Sequence, residues 1–235
     1  MSEFFIFDGI DCRDYCVHVF DRSTYGGSSR EYDGIIIPGK SGNVLIDRNR
    51  YENISNVYDC IIYENAEYNL DEFREFLMSR SGYKRLEDSI HIDEFYLACF
   101  KSDFQPVLDR NREMAKVQLS FERKPQRFLK IGEFTTTYTE NSKIHNPTQF
   151  SSKPLIRIYG NGNVGIGETT ITLTGTTGYT DIDCDVCECF NGTELRNSKV
   201  RFSGVDFPVL HSGENGITLG SGITMVDITP RWFKM

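Results

Sequence analysis

A period of two runs through this chain and limits what it can become. In Val117-Gln118-Leu119-Ser120-Phe121-Glu122, apolar and polar residues alternate, the pattern of a strand with one face in a core and one in water. Ile171-Thr172-Leu173-Thr174, Ile182-Asp183-Cys184-Asp185-Val186 and Val226-Asp227-Ile228-Thr229 repeat it. Asn-Gly pairs at Asn161-Gly162, Asn191-Gly192 and Asn215-Gly216 punctuate the runs. Such pairs favour the positive backbone angles of tight turns, so hairpins are expected at all three. The fold class that follows is mainly β.

One segment breaks the pattern. Phe73, Phe76 and Leu77 recur at helical spacing, so a helix is expected over residues 70–80. Asn69 and Glu72 form a capping box at its start, and Gly82 supplies the stop. Its aromatic face should pack on a sheet, with Phe76 in the core.

The 235 residues are enough for one large β domain or two smaller ones. The helix and most charge clusters precede residues 133–153; Gly, Thr and short strands follow. The polar stretch from Glu140 to Asn146-Pro147 is a turn former. A boundary is placed there, giving an α+β first domain, residues 1–138, and an all-β second domain, residues 139–235.

Composition excludes several classes. Hydrophobic residues make up 39% and aromatic residues 13%, so the chain should be globular. No run approaches the roughly 20 apolar residues of a membrane span. The opening Met1 to Asp8 lacks a basic leader and is short for a secretory signal, so a soluble protein of the cytosol is expected, with no membrane partner. A net charge of −8 argues against tight nucleic-acid binding, though not against DNA passing nearby. Seven cysteines, an odd number, read as free thiols.

Several motifs resemble chemistry and do not complete it. Gly160-Asn161-Gly162-Asn163-Val164-Gly165 fits a dinucleotide fingerprint, but strand residues follow where a helix N-terminus must hold pyrophosphate. Asp181, Asp183 and Asp185 imitate a calcium loop whose sixth and twelfth positions, Val186 and Gly192, are wrong. Cys184, Cys187 and Cys189 have no second ligand pair for zinc. His145-Asn146-Pro147 matches part of a galectin sugar motif, without its stacking Trp; Trp232 is near the C-terminus. Asn53-Ile54-Ser55 and Asn191-Gly192-Thr193 are glycosylation sequons expected to be unmodified. His18, His91, His145 and His211 have no nucleophile elbow beside them, and His18 alternates within a strand. No catalytic, cofactor-binding or metal residue is assigned, and no enzyme activity is expected.

A resemblance spans nearly the whole chain. Ile37-Pro38-Gly39-Lys40-Ser41-Gly42, Tyr83 with Leu86 and Asp88, and Phe121 with Lys124-Pro125-Gln126-Arg127 resemble the first domain of phage distal tail (Dit) proteins. Asn146-Pro147-Thr148 and Ser152 to Gly162 are similar to the entry of that family's second domain. Asp183-Cys184-Asp185, Phe207-Pro208, Gly213-Glu214-Asn215 and Pro230-Arg231-Trp232 follow in the family's order. The chain departs where Arg123 stands at a position often held by cysteine, and where Cys187 replaces a larger apolar residue.

The resemblance implies an N-terminal β-sandwich with one helix that closes a homohexameric ring through added strands and a belt hairpin. It implies a galectin-like β-sandwich as the second domain. The ring would link the tail tube protein to the tail-tip hub or tail-associated protein at the distal end of a siphovirus tail. The tape measure and receptor-binding proteins are further expected partners, and DNA would only pass through the lumen. Assembly would take place in the bacterial host cytoplasm. Two other readings compete: a carbohydrate-binding module for host-wall attachment, and a small hydrolase.

Overall fold

A computed structural model of the chain describes residues 3–204 and 206–235. They form two compact units, the first ending at Arg127 and the second running from Phe128 to Lys234.

The first unit contains β1 (Phe5–Phe7), β2 (Ile10–Asp11), β3 (Val17–Ser23), β4 (Arg30–Ile36), β5 (Asn43–Tyr51), β6 (Ile54–Tyr63), α1 (Ala66–Met78), β7 (Lys84–Asp88), β8 (Glu94–Phe100), β9 (Val107–Leu108) and β10 (Met114–Arg123). Apart from β4 and β5, the main strands join one antiparallel sheet in the order β2-β1-β7-β8-β10-β6-β3. Strand β10 carries the alternation read above: Ala115, Val117, Leu119 and Phe121 are buried. Four strand spacings of ~4.8 Å separate β1 from β6 in a flat sheet, about 19 Å. The Phe5 and Tyr58 rings, on those two strands, lie 4.9 Å apart. The sheet therefore folds over on itself, and the expected sandwich is made from its two halves. Its core is aromatic: Phe5, Phe7, Tyr58 and Phe121 meet ring to ring.

Helix α1 closes one side of this core. Phe73 reaches Phe5 and Tyr15, and Phe76 reaches Phe7 and Tyr15. Phe76 is buried, as the spacing requires. The start is corrected. The helix begins at Ala66, one turn before the expected cap, after Asn65 in the left-handed region at φ 43°. Asn69 is inside the helix, where its amide donates to the Glu64 carbonyl at 2.8 Å. Burial of Ala66 and Leu70 against the sheet outweighs the local capping preference.

The second unit contains β11 (Arg127–Leu129, whose first residue closes the first unit), β12 (Thr136–Tyr138), β13 (Ser142–Asn146), β14 (Leu155–Gly160), β15 (Gly162–Ile166), β16 (Thr169–Leu173), β17 (Tyr179–Asp183), β18 (Glu188–Asn191), β19 (Glu194–Leu195), β20 (Val200–Phe202), β21 (Gly213–Leu219), β22 (Ile223–Thr229) and β23 (Phe233–Lys234). Two sheets, β12-β22-β14-β17-β18-β19 and β13-β21-β15-β16-β20, share one aliphatic core. Ile156, Ile158, Ile182, Val226 and Ile228 enter it from the first sheet. Val164, Ile166, Ile171, Leu173 and Ile217 enter from the second, which makes a β-sandwich.

The change of unit falls at residue 127, eleven positions before the 138 read from composition (138 − 127). The intervening segment is spoken for by C-terminal strands. Leu129 N–H donates to Trp232 O at 2.8 Å, and β12 pairs with β22.

Of the three Asn-Gly turns, one is a hairpin. Asn191 pairs with Glu194, leaving Gly192-Thr193 as a two-residue loop. Asn161-Gly162 instead carries the chain from one sheet to the other, because β14 and β15 are not paired to each other. Asn215-Gly216 lies within β21. Gly160 and Gly162 have φ of 111° and 141°, and a Cβ there would come within 2.2 Å of the Gly222 or Ser221 carbonyl oxygen. Close backbone approach is what requires glycine at these two positions.

Candidate functional site

The motifs that imitate chemistry are used up by the fold. The Gly160–Gly165 run lies at the end of β14 and in β15, and β16 follows, so among the described residues the element after it is a strand and not a helix. Asp181 accepts a two-pronged contact from Arg157 at 2.6 and 2.9 Å, and Asp183 one from Arg231 at 2.7 and 2.9 Å. All three spaced aspartates thus have a basic partner, Asp181 within its sheet, Asp183 from Arg231 after β22, and the exposed Asp185 from Lys153 Nζ at 3.7 Å. Residues 184–187 form a turn rather than the continued strand expected from alternation. Cys184 and Cys189 are buried while Cys187 is exposed. Burial pushes the Cys189 thiol up to about 12, and raises that of Cys184 as well, so both stay protonated and inert.

Asn146 of the partial sugar motif is 1% exposed. Its amide donates to the Phe150 and Leu210 carbonyls, and its oxygen accepts from the N–H and hydroxyl of Thr148. Nothing of that side chain remains to meet a ligand. His18 lies on β3 with its ring 5.9 Å from that of Tyr63. Among the sequons, Asn53 donates to Tyr83 Oη and Glu122, and Asn191 to the Tyr179 carbonyl.

The Asp183–Arg231 pair makes a pH prediction. The hydrogen bonds and positive charge of Arg231 hold the Asp183 carboxyl below its ordinary value of 3.8. A depressed carboxylate stabilises the fold fully above its unfolded value and loses that contribution as pH falls through the folded one. Asp183→Asn should therefore flatten the decline in melting temperature between about pH 4 and pH 2 relative to wild type, a modest effect for a partly exposed pair. An equally steep acid decline in the variant would refute it.

The feature that stands apart is the β4–β5 hairpin. It forms a two-stranded sheet of its own, paired from Arg30↔Tyr51 to Ile36↔Asn43, and none of residues 30–51 is buried. Ile37-Pro38-Gly39-Lys40-Ser41-Gly42 is its tip, with Gly39 and Gly42 both at φ 79°. Register places Tyr32, Ile36 and Leu45 on one face, and Ile35, Val44 and Ile46 on the other. Ile36 is 77% exposed and Leu45 63%. Cross-strand ion pairs, Arg30 with Asp47, Arg48 with Asp33 and Arg50 with Glu31, hold the rest of the ladder together.

A lone two-stranded hairpin is marginal in water, and an arm with aliphatic groups on both faces is an exposed apolar surface that monomers rarely carry. Of the arm, sequence motifs mark only the tip, Ile37 to Gly42. The triplets Ile35-Ile36-Ile37 and Val44-Leu45-Ile46 read like core strands, and no local signal separates a strand buried in its own domain from one that waits for a partner.

A mainly β protein with one helix, a self-folded first sheet, a projecting hairpin and a second β-sandwich defines a recognisable fold. It is the fold of the phage Dit hub proteins. The SPP1 Dit (gp 19.1) protein, described as a paradigm of hub adsorption apparatus in Gram-positive infecting phages, superposes with a TM-score of 0.75 at 17% identity over 100% of both chains. A chain of the phage P2 baseplate in its activated conformation with calcium gives 0.51 at 13% identity, covering 97% of this chain and 98% of that one. The same baseplate with strontium gives 0.53 at 12%, covering 96% and 97%. No family model and no curated protein sequence matches the chain.

Proposed function

We propose that this protein is a structural hub of a phage tail tip, closing a hexameric ring that joins the tail tube to the receptor-binding apparatus and lets DNA pass. The observation that carries the reading is the β4–β5 arm, a hairpin with two apolar faces that no described residue of the chain buries. Head-to-tail docking of each arm on the next copy would bury those faces and, repeated to closure, make a ring rather than a filament. The tail tube protein, the tail-tip hub or tail-associated protein, the tape measure and the receptor-binding proteins are the proposed partners. The distal end of the virion tail is the proposed site, reached after assembly in the host cytoplasm. No catalytic step enters this reading.

Light scattering and negative-stain microscopy of the purified full chain test it. Rings with a central opening and a mass near six times 27.0 kDa are expected. A monomer at every concentration would refute it.

Carbohydrate attachment is the second reading, and one observation favours it. Thr135, Leu155, Arg157, Asp181, Asp227 and Thr229 line a hollow on the outer face of the β12–β19 sheet. Its polar groups already satisfy one another, through Arg157 with Asp181, Thr137 with Asp227 and Thr135 with Thr229. The hub reading is the better supported.

A further inference from the structure

We propose that Arg123 is the positioning residue of the arm, a strut that fixes the arm's root to the core of the first unit. The proposal rests on the reading of the arm as the ring contact and names what holds it in place.

Arg123 ends β10 and is 1% exposed. Burying a guanidinium is costly unless its donors are used. Among the described residues no carboxylate lies within ion-pair distance of it, so its charge is not spent on a salt bridge. Its Nε donates to Asn56 Oδ1 at 2.8 Å, and one terminal nitrogen donates to the Gly26 carbonyl at 3.2 Å. The guanidinium lies 4.6 Å from the centre of the Tyr96 ring, which gives the cation a favourable face on β8. The side chain thus reaches from β10 across β6 to a carbonyl 97 residues away in sequence.

That carbonyl belongs to the segment between β3 and β4, the incoming root of the arm. Among the described residues, Arg123 is the one buried side chain that bonds this segment to the rest of the unit. Thr24 of the segment is also buried, at 3% exposure, but its hydroxyl makes no hydrogen bond among the described residues; the other bonded ties are at the surface or within the root. Tyr25 meets the His91 ring edge-on at 5.5 Å and is itself 75% exposed. Glu52 N–H donates to Ser29 O at 3.0 Å, and Ser28 Oγ to Glu52 O, binding the two roots to each other. With no buried residue between 30 and 51, whatever sets the direction of the arm must act at this root. A hairpin held at a fixed angle meets its neighbour without first losing orientational freedom, and pre-organisation of that kind strengthens association.

Hydrogen exchange of the full-length protein, diluted below its assembly concentration, tests the strut. Arg123→Met keeps most of the volume and removes every donor. In that variant the amides of residues 24–30 and of Glu52 should exchange about tenfold faster, while those of residues 57–62 in β6 stay within about twofold. The concentration for assembly should rise about tenfold with them. Unchanged exchange at the root would overturn the proposal, as would acceleration of β6 equal to that of the root, which would make Arg123 a general stabiliser. Arg123→Lys keeps the charge and cannot span Asn56 and Gly26 together. It covers the case where the Met variant does not fold: about threefold faster exchange at the root with β6 intact is expected, and an unchanged root overturns the idea. Because exchange is read on the dilute chain, a wild type that never assembles would defeat the ring alone, and exchange at the root would still decide the role of Arg123.

Discussion

Ile36→Glu together with Leu45→Glu should give a folded monomer. Both side chains lie on the face of the arm that includes Tyr32, at 77% and 63% exposure, and neither contributes to the core. Surface substitutions of this kind usually change stability by less than about 0.5 kcal/mol, so the melting temperature of the dilute chain should not move beyond a degree or two. Assembly is different. Burying each aliphatic side chain is worth roughly 1.5–3 kcal/mol, and the replacement would bury an unpaired carboxylate instead. Two such losses amount to at least about 3 kcal/mol per contact, or more than about a hundredfold in the concentration at which copies associate. Light scattering over a dilution series reads the outcome. Rings that persist in the double variant would show that the arm is not the seam.

Phe121→Ala should be the most damaging single substitution in the first unit. Its ring is wholly buried and meets those of Phe5, Phe7, Tyr58 and Phe100 at centroid distances of 5.5, 5.0, 5.9 and 5.5 Å. Those partners come from both halves of the folded sheet, which cannot both collapse into the space a phenyl ring leaves. The expected cost is about 3–5 kcal/mol, the upper range for aromatic truncations in cores. Urea unfolding should show a lowered midpoint with an unchanged slope. A loss below about 1 kcal/mol would mean that the halves do not meet through this ring.

Both outcomes turn on a distinction that periodicity cannot make. Alternation in Val117–Glu122 identifies a strand and its inward face, because a period of two is a property of the backbone. The helix was legible for the same reason, through Phe73, Phe76 and Leu77, although its first turn was not. The cap at Asn65 exists because Ala66 and Leu70 find a sheet to cover, and a sheet is a tertiary object. The glycines of residues 160–165 were legible as special but not why: the carbonyls they admit, at Ser221 and Gly222, come from a strand connection some 60 residues away.

What the amino-acid order determined by itself was class and local form: mainly β, with one amphipathic helix. Local pattern suffices for these, since backbone sterics and side-chain spacing act over a few residues. The tertiary structure alone decided which apolar runs are core and which are offered outward. Ile156 and Ile158 vanish between two sheets, while Ile35 and Ile36, no less apolar, stand in solvent on an arm. Burial is a property of what lies opposite a residue, and only the folded chain specifies that.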